Sequence, residues 1–166
     1  MVQVGGTRYQ KTHDCCKSVT GSGNLMAPNP MTEHTYIRNV HNRLKRVAPT
    51  LYVWKINDPY QGGVADAYYS GGSDLWIEYK FLKSLPKRTS TVIDIGLSAL
   101  QRKWLSDRHR EGRKVCVVVG SPDGSLILPG IDWDTSITLA DFISSGVDIS
   151  EVVAYIQAQT LVHHVY

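Results

Sequence analysis

One apolar run near the middle of the chain does most to limit the folds that it can adopt. Residues 114–119 read Lys-Val-Cys-Val-Val-Val, a nearly continuous apolar segment rich in β-branched side chains. A run of this kind predicts a strand buried within a sheet. Helical spacing of apolar residues at 33–47 and 97–111 predicts helices before and after a pair of β-prone runs. We therefore expect an α/β (α+β) chain, with a small mixed β-sheet flanked by helices.

The two ends of the chain differ from this central part. Residues 1–30 are rich in Gly, Ser, Thr, Asn and Pro, which predicts an irregular N-terminal arm. Residues 131–166 predict an acidic C-terminal helical extension, with short helices near 138–145 and 148–160. A chain of 166 residues has room for one ordinary domain. We expect its core at 31–130, with the extension as part of the same domain.

Composition excludes several classes of protein. The chain is 42% hydrophobic and 20% charged, as expected of a globular domain and not of a disordered tail. No apolar run approaches the roughly 20 residues of a transmembrane helix, and residues 1–6 lack the pattern of a signal peptide. Cys15, Cys16 and Cys116 give no paired disulfide framework. We expect an intracellular, cytoplasmic protein with no membrane partner.

The formal net charge of +3 conceals an uneven distribution. Residues 80–114 carry ten basic and three acidic side chains, whereas residues 115–166 carry six acidic side chains and no basic one. A segment with a net charge of +7 is typical of a surface that binds a polyanion, and equally of a solvated helix face. Charge alone leaves both interpretations open.

Two β-prone runs, 65–70 and 75–81, predict a hairpin because only a short Gly-containing segment, Gly71-Gly72-Ser73, separates them. If those three residues form the loop, residue 70 pairs with residue 74. The tryptophans are interpreted as core or packing residues; they are Trp54, Trp76, Trp104 and Trp133.

The hairpin would bring two acids together. Its register places Asp66 directly opposite Glu78, and Lys80 projects from the same face two residues further along. Two facing carboxylates repel each other unless a cation lies between them, and hard oxygen ligands suit Mg²⁺ or Mn²⁺. The same spacing also fits a structural interpretation, in which Asp66 is a turn residue and Glu78 and Lys80 lie on the solvent face of an alternating strand. The pattern alone does not distinguish this from a metal site.

Further motifs follow in a fixed order and resemble those of the PD-(D/E)XK nuclease superfamily. Eleven residues separate Asp66 from Glu78; a Leu-Ser-Ala-Leu-Gln-Arg-Lys-Trp segment at 97–104, Gly112 and the valine-rich run come next. Over about residues 31–120 the chain is most similar to the VRR-NUC type and to related phage-type stand-alone and junction-cleaving endonucleases. Ala65 departs from the signature proline before the first acid. The resemblance implies a restriction-endonuclease-like core.

The resemblance also implies roles for the matching residues. Asp66 and Glu78 would be metal ligands, with the backbone carbonyl of Tyr79 as a third. Lys80 would position or activate the attacking water and offset negative charge on the phosphate. The metal would be Mg²⁺, for which Mn²⁺ would substitute, and no small-molecule cofactor is implied.

Two helical residues and a set of cations complete the implied site. Glu33 falls where the family has a helix-borne acid, and Gln101 where it has a helical glutamine beside the metal. On this fold the +7 segment would flank the site, where a phosphate backbone must pass. The expected DNA contacts are Lys83, Lys87, Arg88, Arg102, Lys103 and Arg108.

The sequence therefore predicts a metal-dependent DNA endonuclease that acts on branched or junction DNA. One alternative is a sequence-specific homing or restriction endonuclease of the same superfamily. Another is a non-catalytic nucleic-acid-binding or virion-assembly protein on a nuclease fold, although the intact Asp66, Glu78 and Lys80 argue against it. Because one such site cuts one strand, cutting both strands would require a homodimer or a higher symmetric oligomer.

Overall fold

Five strands form one mixed sheet in the computed structural model, which describes residues 31–58 and 60–161. The arm predicted for residues 1–30 lies outside the described residues. The strands lie side by side in chain order and are β1 (Tyr52–Lys55), β2 (Ala67–Ser70), β3 (Asp74–Phe81), β4 (Val115–Ser121) and β5 (Gly124–Pro129). Only β3 and β4 run parallel, because a helix connects them and returns the chain to the same end of the sheet. The predicted mixed sheet with flanking helices is confirmed.

Helices begin where the sequence offers capping side chains. Thr32 accepts a hydrogen bond from the backbone N–H of Thr35 and starts the first helix. Asp148 and Glu151 form the predicted capping box at the last one. The α-helices are α1 (Glu33–Val47), α2 (Ala99–Arg110), α3 (Leu139–Ser144) and α4 (Ile149–Thr160). A 3₁₀ turn at Asp132–Asp134, which the sequence did not predict, precedes α3.

The sheet carries a hydrophobic core on each face. One face, which we call the α1 face, is covered by α1 and α4. The other, the α2 face, is covered over β4 and β5 by α2, the 3₁₀ turn and α3. The α1 face buries Val40, Leu44, Tyr69, Ile77, Tyr79, Val118 and Ile156, among others. The α2 face buries Leu105, Val117, Val119, Leu126, Leu128, Trp133 and Phe142, among others. Because valines of β4 enter both cores, the strand is buried throughout, as predicted.

The β2–β3 hairpin has the predicted register. Ser70 pairs with Asp74 around the Gly71-Gly72-Ser73 loop, and Ala67 pairs with Ile77 at the other end. Side chains of successive residues in β3 therefore point to opposite faces of the sheet, with Ile77 and Tyr79 on the α1 face and Glu78 on the α2 face.

Trp54 corrects one expectation. The sequence predicts a core or packing residue at this position, yet 49% of the Trp54 surface is exposed. The reason is that α2 lies over β4 and leaves the β1 side of the α2 face uncovered.

No helix in the described ranges is long and apolar enough to cross a membrane.

A buried polar chain ties α1 to the sheet. The His41 imidazole Nε2 lies 2.8 Å from the Tyr69 hydroxyl, which is 2.7 Å from the Tyr79 hydroxyl. Burial, together with the positive charges of Lys55 and Lys45, lowers the pKa of His41 to about 4. The imidazole is therefore neutral in the folded protein at neutral pH.

This depressed pKa predicts acid sensitivity. Between about pH 6.5 and pH 4 the unfolded chain binds a proton at His41 that the folded chain does not, so stability falls as the pH falls through this window. His41→Gln keeps a hydrogen-bonding group for Tyr69 but cannot titrate. We expect wild type to lose roughly 1–2 kcal/mol more than the variant between about pH 6.5 and 4.5, measured by urea unfolding. Identical pH dependence of the two proteins would contradict this account.

Candidate active site

Two acids meet where β2 begins, beside the middle of β3. Asp66 directly precedes β2, and continuing the Ala67–Ile77 register places it opposite Glu78. The Oδ2 atom of Asp66 accepts a hydrogen bond of 2.8 Å from the backbone N–H of Tyr79. This bond fixes Asp66 against β3, just beyond the last paired residue of β2.

Glu78 is the most deeply buried acid of the site, with 1% of its surface exposed. Its Oε1 atom lies 2.9 Å from the Lys80 ammonium and also accepts a hydrogen bond from the Gln101 side-chain amide. Its Oε2 atom is buried and has no hydrogen-bond partner among the described residues. Because a buried, unpaired carboxylate oxygen is costly, this atom marks a place where a further group would be favourable.

Gln101 is itself held in one orientation. Its side-chain oxygen accepts a hydrogen bond from the backbone N–H of Ser98, the N-cap residue of α2, so its NH₂ group is left to donate to Glu78. The same capping box that starts α2 thus aims the amide at the site. The structure places Gln101 beside Glu78.

A glycine turn brings the segment before Asp66 against α2. Gly63 has φ +91°, and a Cβ atom at this position would lie 2.7 Å from the backbone of Leu100, in the first turn of α2. Only glycine accommodates both the left-handed conformation and this close approach. The Gly62-Gly63 pair therefore positions Asp66 relative to Gln101 and Glu78.

The site has more negative than positive charge. Burial and, to a smaller extent, the nearby charge of Asp66 raise the pKa of Glu78 to about 7. Burial also raises the pKa of Asp66 and of Glu33, and the charge of Asp66 acts on Glu33 in the same direction. Lys80 opposes each of these shifts but does not cancel them. The three acids therefore lie close enough to repel one another.

Glu33 and one unpredicted lysine border this cluster. Glu33 is the first residue of α1, and the backbone N–H of Phe81 partly offsets the rise in its pKa. Lys55, at the end of β1, lowers the pKa of both Asp66 and Glu33. No local sequence pattern indicates a role for Lys55, because its place beside Asp66 depends on the pairing of β1 with β2.

The donor set suits a hard divalent cation. In the part of the chain that the structure describes, no group of three or more His, Cys, Asp or Glu side chains is placed to hold a metal ion. A metal would therefore rely on Asp66, Glu78, a backbone oxygen and water, a set that Mg²⁺ commonly accepts. Because the N–H and C=O of a strand residue point to the same side, the carbonyl of Tyr79 faces Asp66 as well. The unpartnered Oε2 of Glu78 and the excess negative charge both fit such an ion.

The cations expected to contact DNA fall into two groups. Lys83, Lys87 and Arg88 are exposed on the loop after β3 and make no ion pair within residues 31–58 and 60–161. The α2 cations are paired within the chain; the pairs are Arg102–Asp134 at 3.5 Å, Lys103–Asp107 at 2.5 Å and Arg108–Glu111 at 2.6 Å. Of these two groups, only the loop cations are without an ion pair among the described residues.

Comparisons with known proteins gave no match by sequence and a distant similarity to a solved structure. No family model and no curated protein matches the sequence. Among solved structures, Hjc, a Holliday junction resolvase from Archaeoglobus fulgidus, is similar with a TM-score of 0.49 and 18% sequence identity. The match covers 72% of this chain and 98% of the resolvase.

The raised pKa of Glu78 predicts that the acid cluster destabilises the fold. The folded chain holds the Glu78 proton more tightly than the unfolded chain, so the penalty is complete above about pH 7 and absent below about pH 4.5. Glu78→Gln removes the charge. In a chelator at about pH 8 we expect the variant to be more stable by roughly 1–3 kcal/mol, with no gain near pH 4.5, measured by urea unfolding.

Glu111→Gln is the matched control, because Glu111 is exposed and distant in sequence from the acid cluster. We expect it to change stability by no more than about 0.5 kcal/mol. A loss of stability in Glu78→Gln at about pH 8 would show that the ionised carboxylate stabilises the fold, against this account.

Proposed function

We propose that this chain is a metal-dependent endonuclease that hydrolyses phosphodiester bonds in DNA, with branched or junction DNA as its substrate. The observation that supports this most is the meeting of Asp66, Glu78 and Lys80 on one face of the sheet. Within residues 31–58 and 60–161, one buried oxygen of Glu78 has no hydrogen-bond partner, and the acids around it repel one another. A structural role alone would be better served by neutral residues.

Asp66, Glu78 and the carbonyl of Tyr79 would hold Mg²⁺, or Mn²⁺ in its place. When bound, such an ion supplies Lewis-acid stabilisation of negative charge on the phosphate oxygens. The hydrogen bond from Tyr79 keeps one oxygen of Asp66 in place and leaves the other free. Glu78 likewise presents Oε2 while Oε1 is held by the chain.

Lys80, Gln101 and Glu33 would each have a separate role in the reaction. The Lys80 side chain is 17% exposed, so its ammonium is anchored by Glu78 yet can reach a water or a phosphate oxygen from solvent. It would orient the attacking water and stabilise charge as it develops on the phosphate. Gln101 is a positioning residue that acts through Glu78. Glu33 would accept a hydrogen bond from a water at the edge of the cluster.

The substrate proposal is supported by the resemblance of residues 31–120 to junction-cleaving and phage-type endonucleases. A panel of a four-way junction, a flap and random linear duplex tests it, because a junction-specific enzyme cuts the first two in preference to the third. Preference for one defined linear sequence would instead favour a homing or restriction endonuclease. Paired cuts across a junction would need the homodimer that we propose.

Removing either key side chain should abolish cleavage. We expect wild type to nick supercoiled plasmid with Mg²⁺ or Mn²⁺ but not with EDTA. Glu78→Ala and Lys80→Ala should each lower the rate at least about 100-fold, while DNA binding is largely retained.

Two exposed residues provide matched controls for this assay. Lys45→Ala on α1 and Asp123→Ala in the β4–β5 turn remove the same kinds of charge away from the acid cluster. Both should cut at the wild-type rate. Undiminished nicking by Glu78→Ala and Lys80→Ala would refute the site assignment.

The distribution of ion pairs predicts which cations bind DNA. The free loop cations Lys83, Lys87 and Arg88 should each contribute up to about 0.9 to the slope of log K against log[salt]. Replacing all three with alanine should therefore lower the slope by up to about 2.7 in filter binding. Lys103→Ala, which removes a cation already paired with Asp107, should change it less. A flat salt dependence of the wild type would contradict an electrostatic DNA surface.

A further inference from the structure

A row of aromatic side chains crosses the uncovered part of the α2 face. We call it the aromatic stripe; its members are Tyr52, Tyr68, Trp76 and Trp104. Each ring contacts the next, with centroid separations of 6.3, 4.4 and 5.3 Å along the stripe. Trp54 pairs with Tyr68 across β1 and β2 and lies alongside it.

The β1 end of this stripe is open to solvent. Tyr52 is 57% exposed and Trp54 is 49% exposed, whereas Tyr69, the aromatic side chain of β2 on the α1 face, is buried. Burial of such large apolar surfaces is the main favourable term in folding, so their exposure calls for an explanation.

A cavity of about 480 Å³ opens between two of the indole rings. Trp54 and Trp76 flank it, Ile56 and Val64 add apolar surface, and Asn57 and Gln61 offer hydrogen-bonding side chains. Flat aromatic walls with a few amide groups suit a planar heterocycle, whose faces stack and whose edges hydrogen-bond. Asp58 also lines the cavity, but its carboxylate accepts hydrogen bonds from the backbone N–H groups of Tyr60 and Gln61.

The stripe is continuous with the acid cluster. Trp76 precedes Glu78 by two residues, and Tyr68 follows Asp66 by two, so all four side chains project from the α2 face. Two residues of a strand span about 7 Å. Trp76 therefore lies about this distance along β3 from Glu78, and Tyr68 lies about as far along the chain from Asp66.

Two cations lie near the stripe. The guanidinium of Arg108 lies 5.9 Å from the centre of the Trp104 ring. Lys55 lines the cavity, and its ammonium lies 2.8 Å from Nδ1 of His34. Positive charge beside exposed aromatic rings is the usual arrangement of surfaces that bind single-stranded nucleic acid, because the cations meet phosphates and the rings stack on bases.

We propose that the aromatic stripe and its cavity bind unpaired nucleotides of the DNA strand next to the bond that is cut. This inference rests on the proposed nuclease function and specifies its substrate as DNA that has unpaired bases near the cleavage site. A second copy of the chain is a poorer fit, because covering Trp76 would obstruct the approach of DNA to the adjacent Glu78. The occupant is therefore a nucleic-acid strand and not another protein surface.

Binding without cleavage tests this inference. Labelled 20-nucleotide oligo(dT), a duplex with three unpaired thymidines and a fully paired duplex are titrated in EDTA, and anisotropy is measured. We expect Trp54→Ala to weaken binding of the first two about tenfold, the loss typical of one stacking interaction, with little effect on the paired duplex. Trp54→Phe, which keeps a stacking ring, should retain most of the affinity.

Ile143→Ala is the matched control, since Ile143 is a similarly exposed apolar residue on α3. It should leave all three affinities unchanged. The inference is overturned if Trp54→Ala binds oligo(dT) as tightly as wild type, or weakens all three DNAs equally. It is also overturned if light scattering shows a wild-type dimer that Trp54→Ala dissociates, because the stripe is then a protein interface.

The two proposals can fail separately. The protein could bind unpaired DNA in a way that depends on Trp54 and yet fail to nick plasmid. That result would support the aromatic stripe as a binding surface and contradict the nuclease function. Metal-dependent nicking with no effect of Trp54→Ala on binding would retain the nuclease and remove the stripe as a binding surface.

Discussion

The rest of the structure is organised around a carboxylate that is buried beside other acids. Glu78 lies on β3 in the middle of the sheet, where solvent cannot hydrate it, and Asp66 and Glu33 add negative charge nearby. Such an arrangement destabilises the folded state. A function that needs these carboxylates would explain why they are there. Lys80 and Gln101 stabilise one oxygen of Glu78 and leave the second without a partner among the described residues. The uncompensated oxygen and charge are what the proposed metal would satisfy.

The surrounding fold supplies rigidity for this site. Parallel pairing with β4 holds β3 between two strands, and cores on both faces hold the sheet in place. The capping box of α2 orients Gln101, while the left-handed Gly63 allows the Asp66 segment to pack against Leu100. Each of these contacts is made by backbone or by a side chain already fixed in a helix cap. The acids therefore stay close together although they repel.

Local patterns predicted the elements and the hairpin well. Helix α1 begins and ends at the residues that apolar spacing and Thr32 predicted, and the glycine-rich loop set the register that places Asp66 opposite Glu78. Features that depend on the order of strands in the sheet were missed. The position of Lys55 beside Asp66 follows from the pairing of β1 with β2. The exposure of Trp54 follows from β1 being an edge strand that α2 does not cover. The pairing of Arg102 with Asp134 likewise joins segments whose contact no local pattern reports.

A direct measurement of metal binding is the best test of whether the acid cluster binds a divalent cation. Mn²⁺ can be titrated into the DNA-free protein and its free concentration followed by electron paramagnetic resonance. The account predicts saturable binding that Glu78→Gln and Asp66→Asn each abolish, whereas Asp123→Asn leaves it intact. Absence of saturable binding in the wild type, or binding that survives loss of both acids, would contradict the account.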